Sequence, residues 1–420
     1  MIEKYTLKNG VRVIFERIPT VRSVALGIWI GTGSKNESNQ INGISHLIEH
    51  MLFKGTKTRS AKQIAEVFDQ IGGNVNAFTS KEYTCYYARV LDEHAPLAME
   101  VLADMFFHSQ MDEQELQKEK NVVIEEIRMY EDTPDDLVHD LIARASFQNH
   151  SLGNSVLGTE EVLNQLTPED IFRYMEGRYV PEQTVITVAG NIPEGFLPII
   201  EGYFSQFSRE AYNYIQDGEA KFTGVSVHRV KETEQAHLCL SFPGYQVGHS
   251  DIYSLILLNN ILGGSMSSRL FQEIREERGL AYSVFSYHSS YQDAGTFTLY
   301  AGTSTKQVEE VYKLMLHTVE QLRTKGISQE ELIKGKEQLK GSLMLSLEST
   351  NSRMTRLGKN ELLLGRHLDL DQVVQAVDQV TIEGVNNVAD YIFNHEMAIA
   401  LVSSLEGIPD YIRRDAFVRR

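Results

Sequence analysis

Apolar residues along this chain recur in two rhythms. Tyr5 to Phe15, with Asn9-Gly10 at its centre, predicts a β-hairpin. Val24 to Ile30 predicts a strand, and Val75 to Val90, following Gly72-Gly73, predicts paired strands. Between them the spacing lengthens. Ile44, Leu47, Ile48, Met51 and Leu52 fall on one face of a helix, with Asn42-Gly43 as its start signal and Gly55 as its stop. A second helical stripe runs through Met111 to Glu131 as Leu116, Lys120, Val123, Ile127 and Tyr130. Strands, then helices, then strands in each half predict an α+β fold, with a mostly antiparallel sheet covered by helices.

The pattern repeats half a chain later. His46 to Gly55 pairs with Leu255 to Gly264, and Met111 to Leu116 pairs with Ile327 to Leu332, in the same order. This predicts two homologous domains, residues 1–215 and 216–420, with the seam in the polar stretch Gln206 to Glu234 that contains Asp217-Gly218 and Thr223-Gly224.

A length of 420 residues suits two domains, and 42% hydrophobic content fills two cores. The net charge of −17 argues against a nucleic-acid partner. The first residues lead directly into a strand-like run, with no targeting presequence expected and no apolar stretch long enough to span a bilayer. Cys85 and Cys239 are expected to pack as small apolar groups and not as a disulfide, as in a reducing cytoplasm. Gly263 to Ser268 is rich in Gly and Ser but lacks the Lys-Ser/Thr ending of a phosphate loop, so it is expected to be a tight turn.

The chemistry is carried by His46-Leu47-Ile48-Glu49-His50, an H-x-x-E-H order of the inverzincin type. Helical spacing puts His46 and His50 on one face with Glu49 beside them, so the two imidazoles can share a zinc ion while the carboxylate faces the attacking water. Such a site needs a third ligand. In Met111 to Glu131, Glu119 and Glu126 lie beside the apolar stripe, two turns apart, where an unpaired charge would be costly; Glu125 and Glu131 read as solvated.

The run Gly43 to Thr56 resembles the active-site helix of the pitrilysin family, particularly the branch containing the mitochondrial processing peptidase. Glu119 to Glu126 matches the family's Glu-x6-Glu helix. The resemblance implies zinc ligands His46, His50 and Glu126, with Glu119 as a supporting carboxylate and Glu49 as the general base. Helical geometry agrees with Glu126, which shares a face with Glu119. Asn74 to Thr79 resembles the family's edge strand, so Asn76, Ala77 and Phe78 are expected to pair with an extended peptide. Arg275 and Tyr282 resemble a pair that holds the substrate or its oxyanion, with Arg278 the competing arginine. Opposite the four site residues the second half carries Leu255, Leu258, Asn259 and Ser342, so it is expected to keep the scaffold without the metal. The function implied is a zinc endopeptidase acting inside a homodimer chamber, with Arg275 and Tyr282 reaching the zinc of the partner chain. The alternatives are a non-catalytic scaffold subunit of the same fold and a peptidase dedicated to maturing one cofactor precursor.

Overall fold

The computed structural model describes residues 2–211 and 218–412. Contacts divide the chain into two units, one of Met1–Ile127, Asn154–Gln216 and Leu345–Asp369, the other of Arg128–Gly153, Asp217–Met344 and Leu370–Arg420. The anticipated boundary at 215 and 216, and Asp217 of the anticipated seam, lie outside the described residues.

The sheet of the first unit is built from β1 (Ile2–Thr6), β2 (Arg12–Arg17), β3 (Ser23–Ile30), β4 (Asn74–Thr79), β5 (Thr84–Leu91) and β6 (Thr184–Gly190), in the order β1-β2-β6-β3-β5-β4. Every pairing is antiparallel except β2 with β6. The Asn9-Gly10 turn joins β1 to β2 as expected, and Gly10 takes a φ of 97°, in the region where glycine has no steric penalty. One face of the sheet packs against α1 (Ile44–Leu52), α2 (Ala61–Gln70), α3 (Ala95–His108) and α4 (Glu113–Asp132). There Phe15, Leu26 and Ile28 meet Leu47, Ile48, Leu102 and Val123. The other face is covered too. Ile14, Ala25, Trp29, Cys85 and Val185 pack against Met354 and Leu357 of the helix Thr350–Leu364. Burial on both faces explains why β3 reads as an unbroken apolar run and not as an alternation. The covering helix lies tight on the indole: a Cβ at Gly358 would come within 2.1 Å of Trp29.

The second unit repeats the design. Its strands are β7 (Ser226–Val230), β8 (Gln235–Pro243), β9 (Ala281–Ser290), β10 (Gly295–Ser304) and β11 (Ala398–Ser403), in the order β7-β11-β8-β10-β9. This is the order β2-β6-β3-β5-β4 of the first unit, with the same single parallel pair. Leu238, Leu240 and Phe242 face Leu255 and Leu258 of the helix Ile252–Leu262, and Cys239, Tyr300, Ala400 and Val402 face Leu137, Val138 and Leu141 of α5 (Pro134–Ser146). Each sheet is therefore backed by a helix drawn from the opposite half of the sequence. Both cysteines are buried and unpaired. The apolar stripe of α4 stops short of its expected end: Leu116, Lys120 and Val123 are buried, whereas Tyr130 is 38% exposed, because the chain leaves the first unit after Ile127.

A buried carboxylate ties the backing helix to the first sheet. Glu361, 1% exposed, contacts Lys4 at 2.8 Å, Arg12 at 3.2 Å and His367 at 2.9 Å. Burial raises its pKa, but the hydrogen bonds from His367 and Lys4 and the Arg12 charge outweigh burial and hold it down at about 2, below the ordinary 4.5. Stability from such a group is complete above pH 4.5 and drains away as pH falls toward 2. Glu361→Gln is expected to cost about 2 kcal/mol at neutral pH. The deficit, read by denaturant unfolding, is expected to shrink steadily below pH 4.5; a deficit independent of pH would assign the loss to packing alone.

Candidate active site

The helix α1 begins at Gly43, whose φ of 97° and whose approach to Leu157 O, 2.6 Å from where a Cβ would sit, both require glycine. Gly43 has no side chain to cap the helix, and a carboxylate from upstream does so instead. Glu37, 3% exposed, accepts from the backbone N–H of Gly43 at 2.7 Å and of Ser45 at 2.8 Å, and from Asn42 Nδ2 at 3.0 Å. Burial pushes its pKa up against these bonds, and the positive end of the helix dipole favours its charge. Ser45 Oγ continues the network to the Tyr174 hydroxyl at 2.9 Å, which reaches Thr32 Oγ1 at 2.8 Å.

With Ile44, Leu47, Ile48, Met51 and Leu52 committed to the core, α1 presents His46, Glu49 and His50 together. The two imidazoles meet edge to face at 4.7 Å. His46 Nε2 lies 3.8 Å and His50 Nε2 3.7 Å from Glu126 Oε2. The three ligand atoms lie within 4.8 Å of one another and, among the described residues, form the one such group of imidazoles and carboxylates. The Glu126 distances are too long for hydrogen bonds, yet they suit three atoms converging on a common ion: donors about 2.1 Å from a tetrahedral zinc stand about 3.4 Å apart. Two imidazole nitrogens and a carboxylate oxygen are also a donor set that zinc accepts.

Electrostatics keep these donors available. Burial, and next the neighbouring His50, push the pKa of His46 down to about 3, so its ring is neutral near pH 7. His50 Nδ1 faces Glu119 Oε2 at 3.1 Å, which places the ring proton on Nδ1 and leaves Nε2 as a lone pair. The other oxygen of Glu119 pairs with Lys54 Nζ at 2.7 Å. Burial raises the pKa of Glu49, opposed by a hydrogen bond from Thr79 Oγ1 to its Oε2 at 2.6 Å. A carboxylate with a raised pKa is suited to accepting a proton near neutral pH. Glu125 is exposed and outside the cluster.

The structure thus brings His46, Glu49, His50, Glu119 and Glu126 together. Sequence reasoning missed Glu37, Lys54 and Thr79. Of these only Lys54 carried a signal, at helical spacing from His50. The strand β4 is the edge of its sheet, with Asn76 exposed, Ala77 on the helix side, and Phe78 against Trp29 at 5.5 Å. Arg275 and Tyr282 belong to the second unit. The Arg275 guanidinium is held between the rings of Phe271, at 4.8 Å, and Tyr282, at 4.7 Å, from a π-helical turn at Phe271–Glu276. Arg278 is instead engaged by Glu273 at 2.6 Å.

Residues 12–160 match the profile of insulinase, peptidase family M16, and residues 165–339 match that of the peptidase M16 inactive domain. The chain belongs to peptidase family M16. It is 56% identical, over 97% of its length and all of the relative's, to a Bacillus subtilis protein named uncharacterized zinc protease YmxG. It is 39% identical over 96% of its length, and 90% of the relative's, to an uncharacterized zinc protease of Streptomyces coelicolor. The fold is shared with a crystallised protease from Helicobacter pylori, at a TM-score of 0.89 and 23% identity, over 96% of this chain and 99% of that one. All five clustered residues fall within the first M16 match, and the second match includes Leu255, Leu258 and Asn259, the expected counterparts of His46, Glu49 and His50.

The capping carboxylate yields a test that needs no substrate. Glu37→Gln replaces one acceptor with an amide donor facing a backbone N–H, and is expected to lower unfolding stability by about 2 kcal/mol. Stability equal to that of the unaltered chain in urea titration would show that α1 does not depend on this cap.

Proposed function

We propose that this M16 chain is a zinc-dependent endopeptidase that hydrolyses extended peptides. The observation that carries the reading is the convergence of His46 Nε2, His50 Nε2 and Glu126 Oε2 beside a partly buried Glu49. The naming of the B. subtilis and S. coelicolor relatives as zinc proteases supports it. Zinc held by those three atoms would supply Lewis-acid activation of a water molecule and of the peptide carbonyl. Glu49 takes the proton from the attacking water and returns it to the leaving amine. Glu119 fixes the His50 ring, and Lys54 balances the Glu119 charge, so that His50 keeps its Nε2 directed at the cluster. The free edge of β4, along the segment Asn76, Ala77 and Phe78, presents the main-chain groups of alternate residues to an extended peptide, and such bonds read backbone rather than sequence.

Elemental analysis is expected to find about one zinc per chain. Glu126→Gln is expected to lose metal and activity together, whereas Glu125→Gln keeps both. Glu49→Gln is expected to retain zinc while cleavage of an unstructured fluorogenic peptide falls by at least about a hundredfold. A metal-free protein without turnover would favour the non-catalytic scaffold.

The working unit we propose is a homodimer in which Arg275 and Tyr282 serve the site of the partner chain. Support comes from the family resemblance and from Tyr282, a large ring left 77% exposed while it stacks on Arg275. Mixing Glu49→Gln chains with Arg275→Ala chains, each nearly inactive alone, is expected to restore activity. With subunit exchange verified, continued inactivity would refute sharing between chains. None of the described helices is long and apolar enough to cross a membrane, and the two unpaired cysteines suit a reducing compartment, which supports placing the protein in the cytoplasm.

A further inference from the structure

We propose that Thr79 is a positioning residue that fixes the Glu49 carboxylate to the same strand that receives the peptide, so that base and substrate are aligned by one rigid element. The proposal rests on the peptidase reading above. Thr79 closes β4, and its hydroxyl is the hydrogen-bond donor to Glu49 among the described residues, at 2.6 Å. A glutamate side chain has three rotatable bonds, and this donor favours the rotamer that faces the ligand cluster.

Thr79 is itself held from behind. The turn that follows it closes through Ser80 N–H to Tyr83 O at 2.9 Å and is pinned to the 33–35 segment by Ser34 N–H to Ser80 O at 3.1 Å and Lys35 N–H to Lys81 O at 2.8 Å. The clamp is close enough to require glycine at position 33, where a Cβ would come within 2.1 Å of Ser80 O.

The backbone of Thr79 points the other way from this anchor. Ser80 N–H bonds inward to the β5 side of the hairpin, and in an antiparallel ladder neighbouring residues alternate between the inner and outer edge. Thr79 and Ala77 therefore direct their N–H and C=O groups to the open edge. Ala77 agrees, since its N–H is taken by its neighbour's Asn76 Oδ1 at 2.8 Å and not by β5. Thr79 thus offers main-chain bonds to a docked peptide while its side chain holds the base that acts on that peptide.

The test compares Thr79→Val, which keeps the shape and removes the donor, with Thr79→Ser, which keeps the donor. The probe is a quenched fluorogenic peptide of unstructured sequence. Thr79→Val is expected to lower kcat by about tenfold or more, with KM within about twofold, and Thr79→Ser to recover most of it. Zinc content and the thermal midpoint should match the unaltered chain in both. In a Glu49→Gln background the valine should cause no further loss, because the two residues act as one unit. Unchanged kcat in Thr79→Val, a change in KM alone, equal losses in the Val and Ser variants, or loss of zinc would each overturn the proposal. Substantial activity in Glu49→Gln alone would instead overturn the role of the base, so the two failures are distinguishable.

Discussion

Desolvation of an imidazole that is 8% exposed, with the neighbouring His50 adding to it, outweighs the Glu126 carboxylate 3.8 Å away and holds the pKa of His46 down to about 3. That single desolvation governs the site. It leaves a neutral His46 ring beside His50, with a nitrogen of each facing one carboxylate across distances too long for hydrogen bonds and suited to an ion between them. The surroundings are arranged to permit this burial. Glu37 satisfies the start of α1 from beneath, and Glu119 orients the second ring while Lys54 balances it. Remove water from this corner and the polar groups that remain have only one another, or a metal, to satisfy them.

Much of this was legible because it is local. His46, Glu49 and His50 lie within one turn and a half of a helix, and a spacing of three and four residues specifies a shared face whatever the rest of the chain does. The same holds for Glu119 and Glu126, and for the Asn9-Gly10 hairpin. The links that could not be read are those between elements. Thr79 meets Glu49 only because β4 ends beside α1, and Glu37 reaches Gly43 and Ser45 only because an irregular segment folds back beneath the helix. A threonine closing a strand and a glutamate in a polar stretch are ordinary residues until the fold brings them to a particular neighbour.

Amphipathicity has a similar blind spot at larger scale. The apolar faces of α5 and of the helix Thr350–Leu364 announce that each must cover something, but not which sheet. Leu137, Val138 and Leu141 lie on the second sheet, and Met354 and Leu357 on the first. Tyr130 was expected to continue the buried stripe of α4 for a related reason: periodicity carries no mark at the place where a helix passes out of one compact unit.

That reciprocal exchange of helices bears on how the chain is made. A ribosome delivers residues in order, so the back of the first sheet, with Ile14, Ala25, Trp29 and Val185, waits for a helix that emerges only when most of the chain has been synthesised. Early in the same interval α5 is present before the strands it covers have been made. Neither half of the sequence can complete its layers alone, because each sheet takes a covering helix from the other half. The nascent protein therefore carries uncovered apolar surface for much of its synthesis, the circumstance in which chaperones are most needed.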